Sequence, residues 1–223
     1  MIDFSKGEVY EYPYPYMIVE NCFDEKTLTN LINEFPNVPL ESQKKTVMGG
    51  RRKINVSSHD SAKQTPEFKS WIQQSPTWKK FYQWMVNDTT FKSRIEYYKD
   101  HLTHWKSNIT KDSSLTTDCF LHMDWSSAID GYVREVHRDT DKRIWNFLIF
   151  FNDKDWEGGD FNIHSSDNFN GILPHQIFKN DYLSSYVPLY HAIEAKKNLG
   201  LFFLSTPNSY HSVSQQFNNK PRS

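Results

Sequence analysis

Residues 131–164 read GYVREVHRDTDKRIWNFLIFFNDKDWEGGDFNIH, and the way this stretch divides decides the fold. His137-Arg138-Asp139 has the letters of a kinase catalytic loop, and Asp160-Phe161-Asn162 lies about where a kinase metal-binding motif would follow. A kinase also needs a Gly-rich phosphate loop, a strand Lys paired with a helix Glu, and an Asn four intervening residues beyond the catalytic Asp. No Gly-x-Gly-x-x-Gly occurs, Asn146 comes seven residues after Asp139, and an apolar run follows the triplet at once. The chain of 223 residues is also short for two lobes. The kinase reading fails on these counts.

As a strand end, REVHRD points alternate side chains the same way, so His137 and Asp139 share a face and can bind one ion. Two His and one carboxylate on one face of an octahedron leave positions open for a chelating cosubstrate and oxygen, as in non-haem Fe(II) oxygenases. Of the later histidines, His211 has the best context for the third ligand: it follows the apolar strand LGLFFLS and a Pro-Asn turn. His164 alternates with Asp160 and Asn162 and reads as a polar lining or solvent-facing residue, while His175 and His191 lie in or beside the least patterned segment. A lone His-x-Asp on a strand is common, and an inward His after an apolar strand is usually a hydrogen-bonded core residue. The ordering of all these pieces is what carries weight.

Outward from this stretch, the second half is mainly β. SLTTDCFLHMDW, RIWNFLIFF, GGDFNIH, LYHAIEA and LGLFFLS are short strand-like runs separated by Gly, Asn, Asp and Pro turns. Such spacing predicts a sandwich or barrel. The first hundred or so residues are more helical. YMIVENCF reads as a short strand, after which Leu28, Leu31, Ile32 and Phe35 fall on one helical face, with Asp24 to cap it and Pro36 to stop it. Residues 37–64 read as loop with one strand at most. TPEF and SPTW are helix starts with a hydroxyl cap and Pro at the first helical position, and Trp78, Phe81, Tyr82 and Met85 follow at helical spacing.

The length suits a single domain spanning 1–223, with helical support over about 1–110 and a β core over about 111–223. A formal charge of -1, from 26 basic and 27 acidic residues with no Lys/Arg block, argues against nucleic acid as the main partner. Cys22 and Cys119 are too few for a disulfide framework. With no leader-like start and no membrane-length apolar run, a cytoplasmic protein without a membrane partner is expected. Aromatic residues at 16% point to a core filled by large rings.

Residues 130–164, together with FFLSTPNSYHSVS and the opening EYPYPYMIVENCFDEKTLTNLI, resemble the 2-oxoglutarate- and Fe(II)-dependent dioxygenases of the prolyl-4-hydroxylase-like group. The resemblance is specific over about 131–164 and 199–222. It implies a double-stranded β-helix, a cupin-like jelly roll, with iron held by His137, Asp139 and His211. It further implies 2-oxoglutarate as cosubstrate, held through its far carboxylate by a basic residue some ten positions past the distal His. Arg222 matches best, with Lys220 in reserve, because a guanidinium fork binds a carboxylate bidentately. The implied activity is hydroxylation of a prolyl or other protein side chain, or of a small molecule, with O2 consumed, succinate and CO2 released, and ascorbate as an accessory reductant. The alternative is a non-oxygenase, cupin-like metal-binding β-barrel.

Two positions depart from the family. The chain ends at Ser223, where members normally continue through the strand bearing the basic residue. A central-strand position that often carries a cosubstrate-binding Tyr is Phe150 here, and Asn146 on the same face could supply a polar contact instead. The polar stretch 165–198, with Tyr182, Tyr186 and Tyr190, reads equally well as a lid or as an ordinary surface insertion.

Overall fold

A computed structural model of the chain describes residues 1–35, 51–57, 66–87, 123–128, 132–139, 145–151, 157–167, 169, 171 and 173–217. Among the described residues the architecture is mainly β, with two larger antiparallel sheets, a two-stranded sheet and a few helices. Its residues fall into two compact units, of which Phe23–Glu41 with Lys53–Ser126 make one, and Ile2–Cys22, Ser42–Arg52 and Ser127–Ser223 make the other.

The first unit holds the helices α1 (Glu25–Asn33), α2 (Pro66–Gln74) and α3 (Pro76–Asn87). As expected, Asp24 caps α1: its carboxylate accepts from Thr27 N at 2.9 Å and from Thr27 Oγ1 at 2.7 Å. Leu28, Leu31, Phe68, Trp78, Phe81 and Met85 are buried, and Trp78 Nε1 donates to the Leu31 carbonyl at 2.8 Å. The start of α3 has a partner that local sequence does not announce. Glu34, just past α1, accepts from Thr77 N at 2.8 Å, Thr77 Oγ1 at 2.6 Å and Trp78 N at 3.3 Å. A carboxylate from another helix thus takes orphan amides of the first turn and faces the positive end of the helix dipole. Strand β3 (Arg51–Ser57), in the stretch read as loop with one strand at most, pairs with β4 (Met123–Ala128).

In the second unit, β1 (Glu8–Tyr10), β2 (Tyr16–Val19), β6 (Trp145–Phe150) and β10 (Leu199–Leu204) form a four-stranded sheet in the order β1-β2-β10-β6. Within the stretch expected to be helical support, residues 8–10 and 16–19 are therefore strands of this sheet. A second sheet has the order β8-β5-β11-β7-β9, from β5 (Arg134–His137), β7 (Phe161–His164), β8 (Gln176–Ile177), β9 (Leu189–Ile193) and β11 (His211–Val213). One core joins them. Tyr14, Tyr16, Phe150, Leu199, Leu201 and Phe203 from one side pack with Phe161, Ile163 and Ile193 from the other. Each such large side chain contributes roughly 1.5–3 kcal/mol by leaving water.

The Gly-Gly turn is real: Gly158 and Gly159 have φ of 69° and 70°, the left-handed region where a side chain is penalised. Cys22 is buried, and burial pushes its thiol up to about 12, so it is not a reactive nucleophile. Cys119 lies outside the described residues. No described helix is long and apolar enough to cross a membrane.

Candidate metal centre

Strands β5 and β11 are antiparallel neighbours, and His137 and His211 face each other directly across the pair. Their ring centroids are 4.3 Å apart. Asp139 follows β5 by two residues and brings Oδ2 to 3.9 Å from His211 Nε2. One ligand atom from each of the three lies within 4.8 Å of the others, so a single ion can meet all of them. The face is the inner one, since His211 also pairs with the core residue Ile163 and its ring lies 4.8 Å from Phe203 and 5.1 Å from Phe161.

Both imidazoles are set up as neutral Nε2 donors. His137 Nδ1 is 2.8 Å from the Glu135 carbonyl and His211 Nδ1 is 2.9 Å from the Ser209 carbonyl. A carbonyl only accepts, so each Nδ1 carries the proton and each Nε2 keeps its lone pair. Burial, with the neighbouring His211 and Arg134, pushes His137 down to about 2; burial likewise lowers His211, against the pull of Asp139. Because His211 is neutral, its 3.9 Å approach to Asp139 is not an ion pair, and it is too long for a hydrogen bond. The donor set, two neutral imidazoles and a carboxylate, fits a first-row divalent metal of the facial-triad type.

The other described histidines do not join this cluster. His164 is buried, against the expectation of a lining or solvent-facing role: it bonds the Val187 carbonyl at 2.9 Å and Ser212 Oγ at 2.8 Å. It alternates with Ile163, so it occupies the opposite face of the sheet. His175 is exposed, and His191 bonds the Tyr16 hydroxyl at 2.8 Å. On that opposite face Leu173, Ile177, Val187 and Tyr210 form a small cluster with Val136, Phe169 and Leu183. Tyr182 is 77% exposed, and Tyr190 meets Tyr12 edge-on. Arg138 is held by its backbone, donating to the His175 carbonyl at 3.0 Å.

Asn146 sits opposite Phe203, on the inner face with Leu148 and Phe150, and its Nδ2 donates to Ser205 Oγ at 2.9 Å. It is thus at the end of the core near His211, whereas Phe150 pairs with Leu199 at the other end. Arg222 and Lys220 lie outside the described residues.

Two residues of the site escape a reading by alternation. Tyr14 is buried with its hydroxyl donating to the Tyr210 carbonyl at 3.2 Å; burial, then Tyr16 and Asp139, raise its ionisation well above the usual range. The second is Arg134, three positions before His137. The step from His211 to Val213 on β11 is matched by the longer step from His137 to Arg134 on β5, a bulge that turns Arg134 toward the face of His137. Arg134 Nε donates to His137 Nε2 at 3.2 Å. A cleft of about 440 Å³ lined by Tyr10, Ile18, His191 and Leu199 contains none of the three ligand candidates.

No protein-family model matches the chain, and no curated protein matches it. Among solved structures it is similar to a prolyl hydroxylase from Trichoplax adhaerens, in complex with a hypoxia inducible factor oxygen degradation domain peptide fragment. The identity is 12% and the TM-score 0.50, over 93% of this chain and 79% of that one. It is also similar to an oxidoreductase of the 2OG-Fe(II) oxygenase family from Burkholderia pseudomallei, at 10% identity and a TM-score of 0.50, over 93% of this chain and 80% of that one. At such identities the likeness establishes a common fold.

Proposed function

We propose that residues 1–223 form one double-stranded β-helix domain of a 2-oxoglutarate- and Fe(II)-dependent dioxygenase, with His137, Asp139 and His211 as the iron ligands. The observation that carries this reading is the meeting of two Nε2 lone pairs and a carboxylate within 4.8 Å on the inner face of a sheet. The fold held in common with a prolyl hydroxylase and a 2OG-Fe(II) oxygenase family protein supports it.

When bound, iron would supply the oxidation of an unactivated carbon coupled to decarboxylation of 2-oxoglutarate to succinate and CO2. The chain's own residues do the positioning. Glu135 and Ser209 carbonyls fix the two imidazole tautomers, and Phe161 and Phe203 exclude water beside His211. Asn146 would supply a polar contact to the cosubstrate, and Arg222 would bind its far carboxylate, as the family resemblance implies. The substrate is a protein side chain such as prolyl, or a small molecule.

Anaerobic addition of Fe(II) and 2-oxoglutarate tests the proposal. A weak visible charge-transfer band is expected, with succinate formed once oxygen is admitted. Absence of both, with a metal still bound, would leave the cupin-like metal-binding barrel as the better description.

A further inference from the structure

We propose that Tyr14, Tyr16 and Tyr10 form a relay that carries oxidising equivalents from the metal centre to the surface, with His191 taking the proton of Tyr16. The relay rests on the oxygenase reading above and adds to it a protective path for turnover without substrate.

The rings lie in order. From His211 to Phe203 the centroids are 4.8 Å apart, and from Phe203 to Tyr14 6.3 Å. Tyr14 also reaches the centre directly, since its hydroxyl donates at 3.2 Å to the carbonyl of Tyr210, the residue before His211. Tyr16 follows at 6.2 Å, and Tyr10 stacks on Tyr16 at 4.6 Å with the ring planes 3° apart. Tyr10 and His191 are partly exposed and border the cleft of about 440 Å³, so the path ends at solvent.

Proton chemistry decides where an oxidation rests. A phenol that loses an electron becomes a strong acid and sheds its proton. Tyr14 faces a carbonyl, a poor base, whereas Tyr16 shares a 2.8 Å hydrogen bond with His191 Nδ1. Burial holds the ionisation of Tyr16 above the usual phenol range, so electron and proton leave together. One oxidising equivalent takes an electron from Tyr16 through Tyr14, and the proton moves to Nδ1, leaving a neutral tyrosyl radical beside an imidazolium. Tyr10, hydrogen-bonded to Glu8, then gives its electron to Tyr16 and its proton to that carboxylate, while Tyr16 recovers its own proton from His191. A dissolved thiol supplies the electron that restores Tyr10 and releases a proton to water, and Glu8 hands its proton back. Two such passages discharge the two-electron oxidant left when oxygen and 2-oxoglutarate react at the metal without substrate.

Metal-free protein oxidised by azide radicals and rapidly frozen tests the outer end by electron paramagnetic resonance. A tyrosyl signal is expected, split by a hydrogen-bonded proton whose splitting vanishes in D2O and in His191→Leu. Tyr16→Phe should remove most of the signal, and Tyr12→Phe should not change it. The second arm is protein carrying Fe(II) and 2-oxoglutarate, exposed to oxygen without substrate. The same signal should accompany succinate, and Tyr14→Phe should remove it here alone, because azide radicals reach Tyr16 by way of Tyr10. Unchanged Fe(II) binding shows that the variants are folded. A metal-free signal that is indifferent to Tyr16→Phe or to D2O overturns the relay, as does succinate formed with no tyrosyl signal. Failure to form succinate would instead strike at the oxygenase reading, while the metal-free arm still decides whether Tyr16 and His191 act as a redox pair.

Discussion

His137 and His211 are register partners on adjacent antiparallel strands, with ring centroids 4.3 Å apart and each Nδ1 tied to a carbonyl of its own chain segment. The sheet therefore holds the two proposed ligand histidines in place by its own hydrogen bonds. Asp139→Ala removes the only charged residue of the three proposed ligands and alters neither ring. It should abolish Fe(II) retention in equilibrium dialysis while leaving the metal-free protein's thermal midpoint within a few degrees of wild type. The loss should exceed the roughly 10–100-fold cost of removing an outer-shell partner. Retention of Fe(II) at wild-type affinity would sink the assignment.

The metal-free protein should lose stability in mild acid. Burial lowers His164, and burial with His211 and Arg134 pushes His137 down to about 2, while an unfolded histidine titrates near 6.5. As pH falls below about 6.5 the unfolded chain takes up protons that these folded residues refuse, so stability is complete above that value and declines below it. For His137 the decline continues to about 2. For His137 the loss is about 1.4 kcal/mol between pH 7.5 and 5.5. Urea unfolding at both pH values measures the slope, and His164→Gln should reduce it.

Glu34 receives three hydrogen bonds from Thr77 and Trp78 at the start of α3. Glu34→Ala orphans two helix-terminal amides and a hydroxyl together, and should cost about 2 kcal/mol. Glu34→Gln keeps the shape but loses the charge, and should cost less. Chemical denaturation with helix content as the signal would show the difference; equal effects would mean the carboxylate's charge is irrelevant.

At Gly158, with φ of 69°, an added Cβ would overlap the Gln215 carbonyl oxygen. Gly158→Ala should therefore destabilise by at least about 3 kcal/mol, combining left-handed strain with a backbone collision. A thermal midpoint equal to wild type would show that the turn can relax.

Much of this was readable in the letters because β alternation is strict. The period of two puts His137 and Asp139 on one face, and an apolar run followed by a Pro-Asn turn puts His211 at the mouth of a sheet. Asp24 and the Pro-led helices followed from local capping chemistry. What was not legible has a physical cause. A bulge breaks the period of two, so Arg134 could not be placed beside His137 from REVH. The burial of His164 is not legible from its neighbours because its partners, Val187 and Ser212, are distant in sequence. The clamp of Glu34 on α3 has the same origin, linking residues 43 and 44 positions apart. Tyr14, in a run of tyrosines and prolines, carried no mark that separated it from Tyr12.

The pairing of β2 with β10 brings residues 16–19 to residues 200–203. Contacts of such long range make loop closure the slow step, so this protein should fold in the slow regime of β-rich topologies. During synthesis at about 5–20 residues per second, the early strand must wait at least several seconds for its partner. His211 is made later still, after β10. A nascent chain therefore carries His137 and Asp139 well before the residue that would complete their site, and metal capture should be a late event in its biogenesis.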